Sequence, residues 1–194
     1  MASLEYDYIV IGAGSAGCVL ADKLSADGQT SVLLLEAGGH DRRLWIKMPI
    51  GYGKTFYDER VNWKFEAQPD PQLNGRRIYF PRGKVVGGSS SINAMVYCRG
   101  LPGDFDDWAA AGNHGWSWQD VLPVYDAFER PVDAQGVAAT SGQLFVSDVR
   151  RRLHRSERHF FAAAEQAGLP FTEDFNGPQP EGVCLLYTSD AADE

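Results

Sequence analysis

The chain has 194 residues, of which 44% are hydrophobic and 23% are charged, a composition typical of a soluble globular protein. Its formal net charge is −8, which argues against nucleic acid as a partner because an acidic surface repels the phosphate backbone. The three cysteines are odd in number and widely spaced, so they predict neither a disulfide framework nor a metal site.

The N-terminus has no basic stretch followed by an apolar one, and no apolar run reaches the roughly 18 residues that a membrane span needs. We therefore expect no signal peptide and no transmembrane segment, and peripheral association with a membrane stays open. Together with the cysteine pattern, these features favour a reducing, cytoplasmic location.

The chain opens with the pattern of a strand, a glycine-rich turn, a helix and a second strand. Residues 6–11 (YDYIVI) form a short apolar run typical of a buried parallel strand. GAGSAG follows at residues 12–17, helical spacing of apolar residues continues up to Gly28, and SVLLL at residues 31–35 is a second apolar run. This order predicts the βαβ unit of a doubly wound, Rossmann-like α/β sheet.

A long excursion then interrupts the sheet. Residues 40–80 are rich in glycine, proline and aromatic residues, and they show no clear helix. Within them, Asn74 and Gly75 lie between two alternating stretches and predict a hairpin. Long excursions of this kind commonly serve as lids or binding loops.

The second half of the chain has the pattern of three helices and one strand. The predicted helices are DFDDWAAA at 104–111, a helix from Ser117 to about Arg130, and SERHFFAAAEQAG at 156–168. Ser117 and Asp120 are spaced as a capping box at the start of the second helix. A loop over residues 131–143 and a strand in LFVSD at 144–148 separate the second helix from the third.

The motif at residues 12–17 predicts a dinucleotide site because it follows a strand and opens a helix. Gly12 permits a tight turn, Gly14 lets a pyrophosphate approach the backbone, and Gly17 lets the helix pack closely. The start of the helix supplies N–H groups and the positive end of a dipole. Glu36, nineteen residues after the last glycine, would accept hydrogen bonds from a ribose and would repel the 2′-phosphate of NADP.

The continuation of the chain favours FAD over NAD. An NAD domain would go on alternating strands and helices, whereas this chain leaves the sheet and returns with PRGKVVGGSSSINAM. Here it resembles the glucose-methanol-choline oxidoreductases, a family of FAD-dependent enzymes that oxidise alcohols. The resemblance covers residues 6–183 and rests on IVIGAGSAG with LLLEAGG, on PRGKVVGGSSSINAMVYCRG with DFDDWA, and on GWSWQDVLPVY with DFNG.

The resemblance implies that residues 83–97 run beside the diphosphate and the isoalloxazine of FAD. Glycines would let the backbone lie close to the cofactor, and the serine hydroxyls and backbone amides could donate to phosphate oxygens. Asn93 matches a position that hydrogen-bonds near the flavin ring. A flexible surface loop is the alternative, and apolar neighbours such as Val85 and Ile92 argue against it.

The predicted cofactor-binding residues come from both glycine-rich stretches. They are Gly12, Gly14, Ser15, Ala16, Gly17, Glu36, Ala37, Val86, Gly87, Gly88, Ser89, Asn93, Ala94, Met95 and Val96. Relatives that bind FAD covalently do so through a histidine just before the second stretch. Residues 78–82 contain neither histidine nor cysteine, which predicts non-covalent FAD.

For activity, the resemblance implies hydride transfer from a primary alcohol, choline-like or aliphatic or aromatic, to flavin N5. A late histidine would take the hydroxyl proton in chains more than twice as long as this one. The four histidines, His40, His114, His154 and His159, lie in other contexts, so we assign no catalytic residue. The chain is interpreted as an inactive N-terminal fragment of an alcohol dehydrogenase whose electron acceptor the sequence does not specify.

Two alternatives stay open, a non-catalytic dinucleotide-binding module and an NAD-binding domain. In the leading interpretation, residues 1–143 belong to the FAD-binding domain and residues 144–183 begin an α+β substrate domain. Residues 184–194 (CLLYTSDAADE) resemble a translated sequencing adapter, which predicts a non-biological tail; a divergent natural tail is the alternative. Because later strands would be missing from the sheet, we expect exposed apolar faces and a tendency to aggregate.

Overall fold

The computed structural model describes residues 5–133, 135–149, 154–177, 180–184 and 187–189. The chain divides into two compact units, which meet in the sequence between Ala94 and Met95. The predicted domain boundary at residue 143 therefore falls inside the second unit. The assignment of segments to a cofactor domain and a substrate domain stays a prediction, as does the origin of the tail.

The first unit begins with the predicted βαβ arrangement. Strand β1 (Tyr8–Ile11) lies parallel to strand β2 (Val32–Leu35), and helix α1 (Ser15–Ser25) connects them. Gly28, with a φ of +66°, follows the helix and turns the chain back toward β2. These elements confirm the predicted strand, helix and strand.

The strands of this sheet are more exposed than those of a complete, covered parallel sheet. Ile9 is 59% exposed and Ile11 is 85% exposed. An apolar parallel strand normally lies in a larger sheet that is covered on both faces. Within the described residues, this sheet has only the strands β1 and β2. The expected exposure of apolar faces is therefore present.

The excursion contains short helices that the sequence analysis missed. Helix α2 (Leu44–Lys47) and helix α3 (Tyr52–Thr55) are single turns, joined by a 3₁₀ turn at Pro49–Gly51. The expectation of no helix in residues 40–80 is wrong because one turn is too short to produce a hydrophobic period. A Cβ atom at Gly51 would lie 1.9 Å from the Trp45 carbonyl oxygen, so these turns pack backbone against backbone.

The predicted hairpin is confirmed. Strand β3 (Phe65–Glu66) pairs in antiparallel fashion with strand β4 (Tyr79–Phe80). Asn74 and Gly75 both have positive φ, of 57° and 72°. A 3₁₀ turn precedes them, capped by Asp70, so the connection is longer than a two-residue hairpin turn.

The core of the first unit is small and mixes apolar and polar groups. Val61, Val85 and Ile92 are almost completely buried and form one cluster. Asn62 is also buried, and its carboxamide donates to the Phe56 carbonyl at 2.8 Å. Its Oδ1 accepts backbone N–H groups from both sides of the hairpin, so Asn62 fixes the excursion to the core.

The second unit contains the three predicted helices. They are α4 (Pro102–Ala110), α5 (Trp118–Phe128) and α6 (Glu157–Gln166). The capping box of α5 is confirmed, since Asp120 Oδ2 accepts the Ser117 N–H at 3.1 Å and the Asp120 N–H donates to Ser117 Oγ at 3.4 Å. No helix in the described part of the chain is both long and apolar enough to cross a membrane.

Within the described residues, the sheet of the second unit has four strands, only one of which was predicted. They are β5 (Val96–Tyr97), β6 (Glu129–Val132), the predicted β7 (Leu144–Ser147) and β8 (Tyr187–Ser189). Their order is β5-β8-β7-β6, with β6 parallel to β7 and β8 antiparallel to both of its neighbours. Two predictions are corrected: α5 ends at Phe128 rather than near Arg130, and the predicted loop at 131–143 begins within β6, because pairing with β7 extends the backbone there.

A buried carboxylate joins several parts of the second unit. Glu129 is 7% exposed and accepts from Arg99 at two points, with Nε 2.8 Å from Oε1 and Nη2 bonded to Oε2. The Tyr97 hydroxyl bonds to the same carboxylate. Arg99 also contacts Asp126 at 3.2 Å, and its backbone N–H donates to Asn176 Oδ1 at 2.6 Å.

We expect Tyr97 to resist ionisation at high pH. Burial and the Glu129 carboxylate raise the pKa of Tyr97 above its ordinary value of 10.0. Because the folded-state pKa is the higher one, the stabilisation is complete below pH 10.0 and is lost as the pH rises toward the folded value. At roughly pH 11, wild type and Y97F should show equal tyrosinate absorbance. An excess of one phenolate in the wild type would contradict this.

Candidate active-site cleft

The turn between β1 and α1 has the geometry that its glycines predict. Gly12 has a φ of +100°, a conformation that side chains disfavour. A Cβ atom at Gly17 would lie 1.9 Å from the Gly12 carbonyl oxygen, so only glycine lets the helix pack this closely on the turn. The structural reasons given for both residues are observed, and their part in cofactor binding stays a prediction.

Gly14 differs from the other two glycines because the protein itself gives no reason for it. Its φ is −83°, which any residue adopts, and a Cβ atom there would meet only the Gly88 Cα, at 3.9 Å. Gly14 lies on the wall of a cleft and precedes the first turn of α1, whose N–H groups receive no side-chain cap from it. The missing side chain therefore leaves open space beside free helical donors.

Glu36 lies at the end of β2, as predicted, but already has partners within the protein. Its Oε2 accepts the Ala13 N–H at 2.8 Å, and its Oε1 accepts the Gly38 N–H at 2.8 Å. The carboxylate thus connects the turn after β1 to the turn after β2. Each oxygen keeps a second lone pair, so a ribose hydroxyl remains a feasible additional donor.

The second glycine-rich stretch packs directly on the first. The Gly87 N–H donates to the Ala13 carbonyl at 2.7 Å, and a Cβ atom at Gly88 would lie 2.8 Å from the Gly14 Cα. A Cβ atom at Gly83 would lie 2.0 Å from the Gly88 carbonyl oxygen. The glycines of this stretch are therefore required by contacts within the protein, a reason that the sequence analysis did not give.

The serines of this stretch bind mainly to the protein. Ser89 Oγ accepts the Gly83 N–H at 3.1 Å, which leaves its own hydroxyl hydrogen available. Ser90 bonds to Ser15 through their hydroxyls. Ser91 donates to the Val86 carbonyl at 2.8 Å, so this hydroxyl closes the turn and is a poor candidate for a phosphate donor.

The remaining predicted residues lie in different settings. Ala16 and Ala37 are exposed, at the first turn of α1 and after β2 respectively. The Val86 N–H donates to the Gly39 carbonyl at 3.0 Å. The last four predicted residues are consecutive and run across the boundary of the two units; they are Asn93, Ala94, Met95, which has a φ of 59°, and Val96 in β5.

The cleft of the first unit has a volume of about 600 Å³. Its lining residues are Ile11, Gly12, Gly14, Leu35, Glu36, Ala37, Trp63, Phe65, Arg82, Gly83, Gly88 and Ser89. The cleft thus brings together the turn after β1, the end of β2 and the second glycine-rich stretch. None of the four histidines, all of which are described, lines it.

The excursion supplies an aromatic wall, and the start of the second glycine-rich stretch adds basic residues; sequence analysis assigned neither. Trp63 and Phe65 stack with ring centroids 5.9 Å apart, because Lys64 between them has a φ of 55° and both rings fall on one side. The Lys84 ammonium lies 4.7 Å from the Trp63 ring centroid. Arg82 also lines the cleft. The only sequence signal was the length of the excursion, which is typical of a binding loop.

Comparison with known proteins identifies the family. The sequence profile described as GMC oxidoreductase matches residues 6–192. The chain belongs to the GMC oxidoreductase family. This finding confirms the resemblance on which the sequence analysis depends.

Curated relatives of this GMC chain include alcohol-oxidising enzymes. It is 47% identical over 185 residues to "Oxygen-dependent choline dehydrogenase" of Vibrio vulnificus, covering 94% of this chain and 33% of the relative. It is 44% identical over 180 residues to "Alcohol dehydrogenase [acceptor]" of Pseudomonas putida, covering 92% and 32%. The chain spans about a third of the length of these relatives.

Solved structures show the same fold. Pyridoxine 4-oxidase from Mesorbium loti superposes with a TM-score of 0.81 at 32% identity, over 95% of this chain and 36% of that one. An FAD-dependent oxidoreductase from Chaetomium thermophilum superposes with a TM-score of 0.79 at 30% identity, over 95% and 33%. The α/β arrangement of the chain is thus that of GMC oxidoreductases.

Proposed function

We propose that this chain binds FAD non-covalently in the cleft of its first unit, as the cofactor-binding part of an oxidoreductase acting on the CH–OH group of primary alcohols. The observation that carries the proposal is Gly14. Neither its backbone conformation nor its packing requires glycine, and the space that a side chain would fill opens on the cleft. A glycine without an internal reason, at the start of a helix, fits a pyrophosphate that approaches the backbone.

The residues of the cleft fit the phosphates and the ribose in the ADP moiety of FAD. The first-turn N–H groups of α1 would donate to the phosphates, and the positive helix end favours their charge. Glu36 would accept from the ribose through its remaining lone pairs. The stacked Trp63 and Phe65 offer a flat apolar surface for an aromatic ring, and Arg82 adds positive charge at the wall.

Non-covalent binding is supported by the residues just before the second glycine-rich stretch. A covalent bond to the flavin requires a protein nucleophile at the site. Residues 78–82, which precede the stretch expected beside the isoalloxazine, contain neither histidine nor cysteine. The chain therefore offers hydrogen bonds, a helix dipole and apolar contact to the cofactor.

Bound FAD would supply the hydride acceptor for alcohol oxidation. The residues of this chain would bind and orient the cofactor and keep water from its ADP moiety. The names of the curated relatives support alcohols, choline among them, as the substrate class. We assign the base that removes the hydroxyl proton to the part of the longer relatives that this chain does not span, and we expect the chain alone to be inactive.

The variant G14S tests the proposal by separating cofactor binding from stability. Serine is a favoured N-cap and Gly14 has an ordinary φ, so the thermal unfolding midpoint should not fall. Its Cβ and hydroxyl would fill the space at the cleft wall, and FAD affinity should drop roughly tenfold or more, about 1.4 kcal/mol. The measurement is a fluorescence titration of the full chain with FAD.

The control is G53A, since Gly53 has no neighbour within 4 Å of a Cβ position and lies in α3 away from the cleft lining. G53A should bind FAD as the wild type does. A wild-type chain that does not bind FAD would overturn the proposed function, and so would a G14S variant with undiminished affinity. Acid precipitation should release the flavin into the supernatant; flavin retained in the pellet would contradict non-covalent binding.

A further inference from the structure

One of the two inner strands of the second sheet comes from the C-terminal segment of the chain. Strand β8 lies between β5 and β7 and pairs in antiparallel fashion with both. Thr188 is aligned with Val96 on one side and with Ser147 on the other. Within the described residues, β8 is the strand that connects β5 to the rest of the sheet.

Strands β5 and β7, on either side of β8, depend on it for backbone pairing. Strand β5 has two residues, too few to hold a sheet position without pairing along its edge. On β7, Val146 and Ser147 are buried. Without β8, β7 would be an edge strand whose N–H and C=O groups on that side would be open to water. The Tyr97 bond to Glu129 joins β5 to β6 by side chains, but it satisfies none of the backbone groups of β5 or β7.

We propose that the edges of β5 and β7 form a strand-accepting gap, which this chain fills with its own segment Tyr187–Ser189. The gap holds its strand by main-chain hydrogen bonds, the mode of recognition that depends least on side-chain identity. A segment of unrelated origin could therefore occupy it, provided that it is extended and keeps its N–H groups. The inference goes beyond the proposed function and does not depend on FAD binding.

The test compares T188P with T188V by hydrogen exchange and mass spectrometry of the full chain. Proline removes a backbone donor and is not tolerated in a central strand, whereas valine keeps the N–H and favours extended backbone. In T188P, amides of residues 96–97 and 146–147, which are paired with β8, should exchange roughly tenfold faster or more, and in T188V within about twofold of wild type. Amides of β1 and β2 should be unchanged in both variants.

Unchanged exchange at residues 96–97 and 146–147 in T188P would overturn the proposal. So would uniform acceleration across both units, because the gap predicts a local effect. A cross-link provides a measurement that does not depend on the proline variant. With the three native cysteines replaced by serine, V146C/S189C should form a disulfide on oxidation because the two positions are directly paired. The pair V146C/Y187C is displaced by two residues and should remain reduced; equal cross-linking of both pairs would overturn the register.

Discussion

Replacing Gly17 with alanine is expected to destabilise the first unit by about 3 kcal/mol, at the upper end of the cost of overpacking. The added Cβ atom would lie 1.9 Å from the Gly12 carbonyl oxygen and 3.3 Å from Val10 Cγ1. The first of these is a backbone atom in a tight turn with a φ of +100°, so it has little freedom to move away. Helix α1 would have to shift from β1, and both FAD binding and folding should suffer.

The loss in free energy of unfolding is measured by chemical denaturation, with hydrogen exchange of the β1 and β2 amides as the probe of the first unit. The matched control is again G53A, a helical glycine of the same unit with open space around its Cβ position. It should be neutral or slightly stabilising, because alanine favours a helix over glycine. If G17A unfolds at the same denaturant concentration as G53A, the close packing of α1 on the turn is not what makes glycine necessary.

Replacing Arg99 with methionine should destabilise the second unit by about 3–5 kcal/mol, the usual cost of removing one partner from a buried ion pair. The Arg99 side chain is only 14% exposed, and Glu129 would keep a buried charge with the Tyr97 hydroxyl as its remaining side-chain donor. Asn176 would keep its bond to the Arg99 backbone, so the loss comes from the side chain. The pair of Arg99 with the Glu129 carboxylate is bidentate, a geometry that a lysine ammonium could not reproduce.

The measurement is the free energy of unfolding of R99M and R99K beside D126N. Asp126 contacts the same guanidinium at 3.2 Å but is 62% exposed, so its removal should cost far less than either arginine variant. R99K should fall between R99M and wild type. An R99M variant as stable as D126N would show that Glu129 finds other partners when the arginine is absent.

Substitutions at Gly14 and Gly17 should therefore affect different properties of the protein. Gly17 is required by the protein, since its Cβ position is occupied by backbone, and its substitution should act on folding. Gly14 faces open space, and its substitution should act on cofactor affinity while stability is kept. The motif predicts these two roles, and the structure adds what a Cβ atom at each position would meet.

Several local elements were predictable from the sequence alone. The βαβ unit, the hairpin at Asn74 and Gly75 and the capping box of Ser117 with Asp120 were all predicted and are all present. In each case the deciding interactions join residues close in the chain or depend on backbone conformations that one residue type favours. The family membership was also visible, because its motifs are local stretches of sequence.

The cleft wall and the second sheet were decided by tertiary structure. The bond of Glu36 to the Ala13 N–H, the approach of Gly88 to Gly14 and the stacking of Trp63 on Phe65 bring groups into place through distant contacts or an unusual backbone angle. The pairing of β8 joins it to β5, about ninety residues away, and to β7, about forty residues away. A sequence pattern indicates which residues favour a strand or a turn. Pairing between segments distant in the chain is decided only when the whole chain packs, because it depends on which backbone and apolar groups still need a partner.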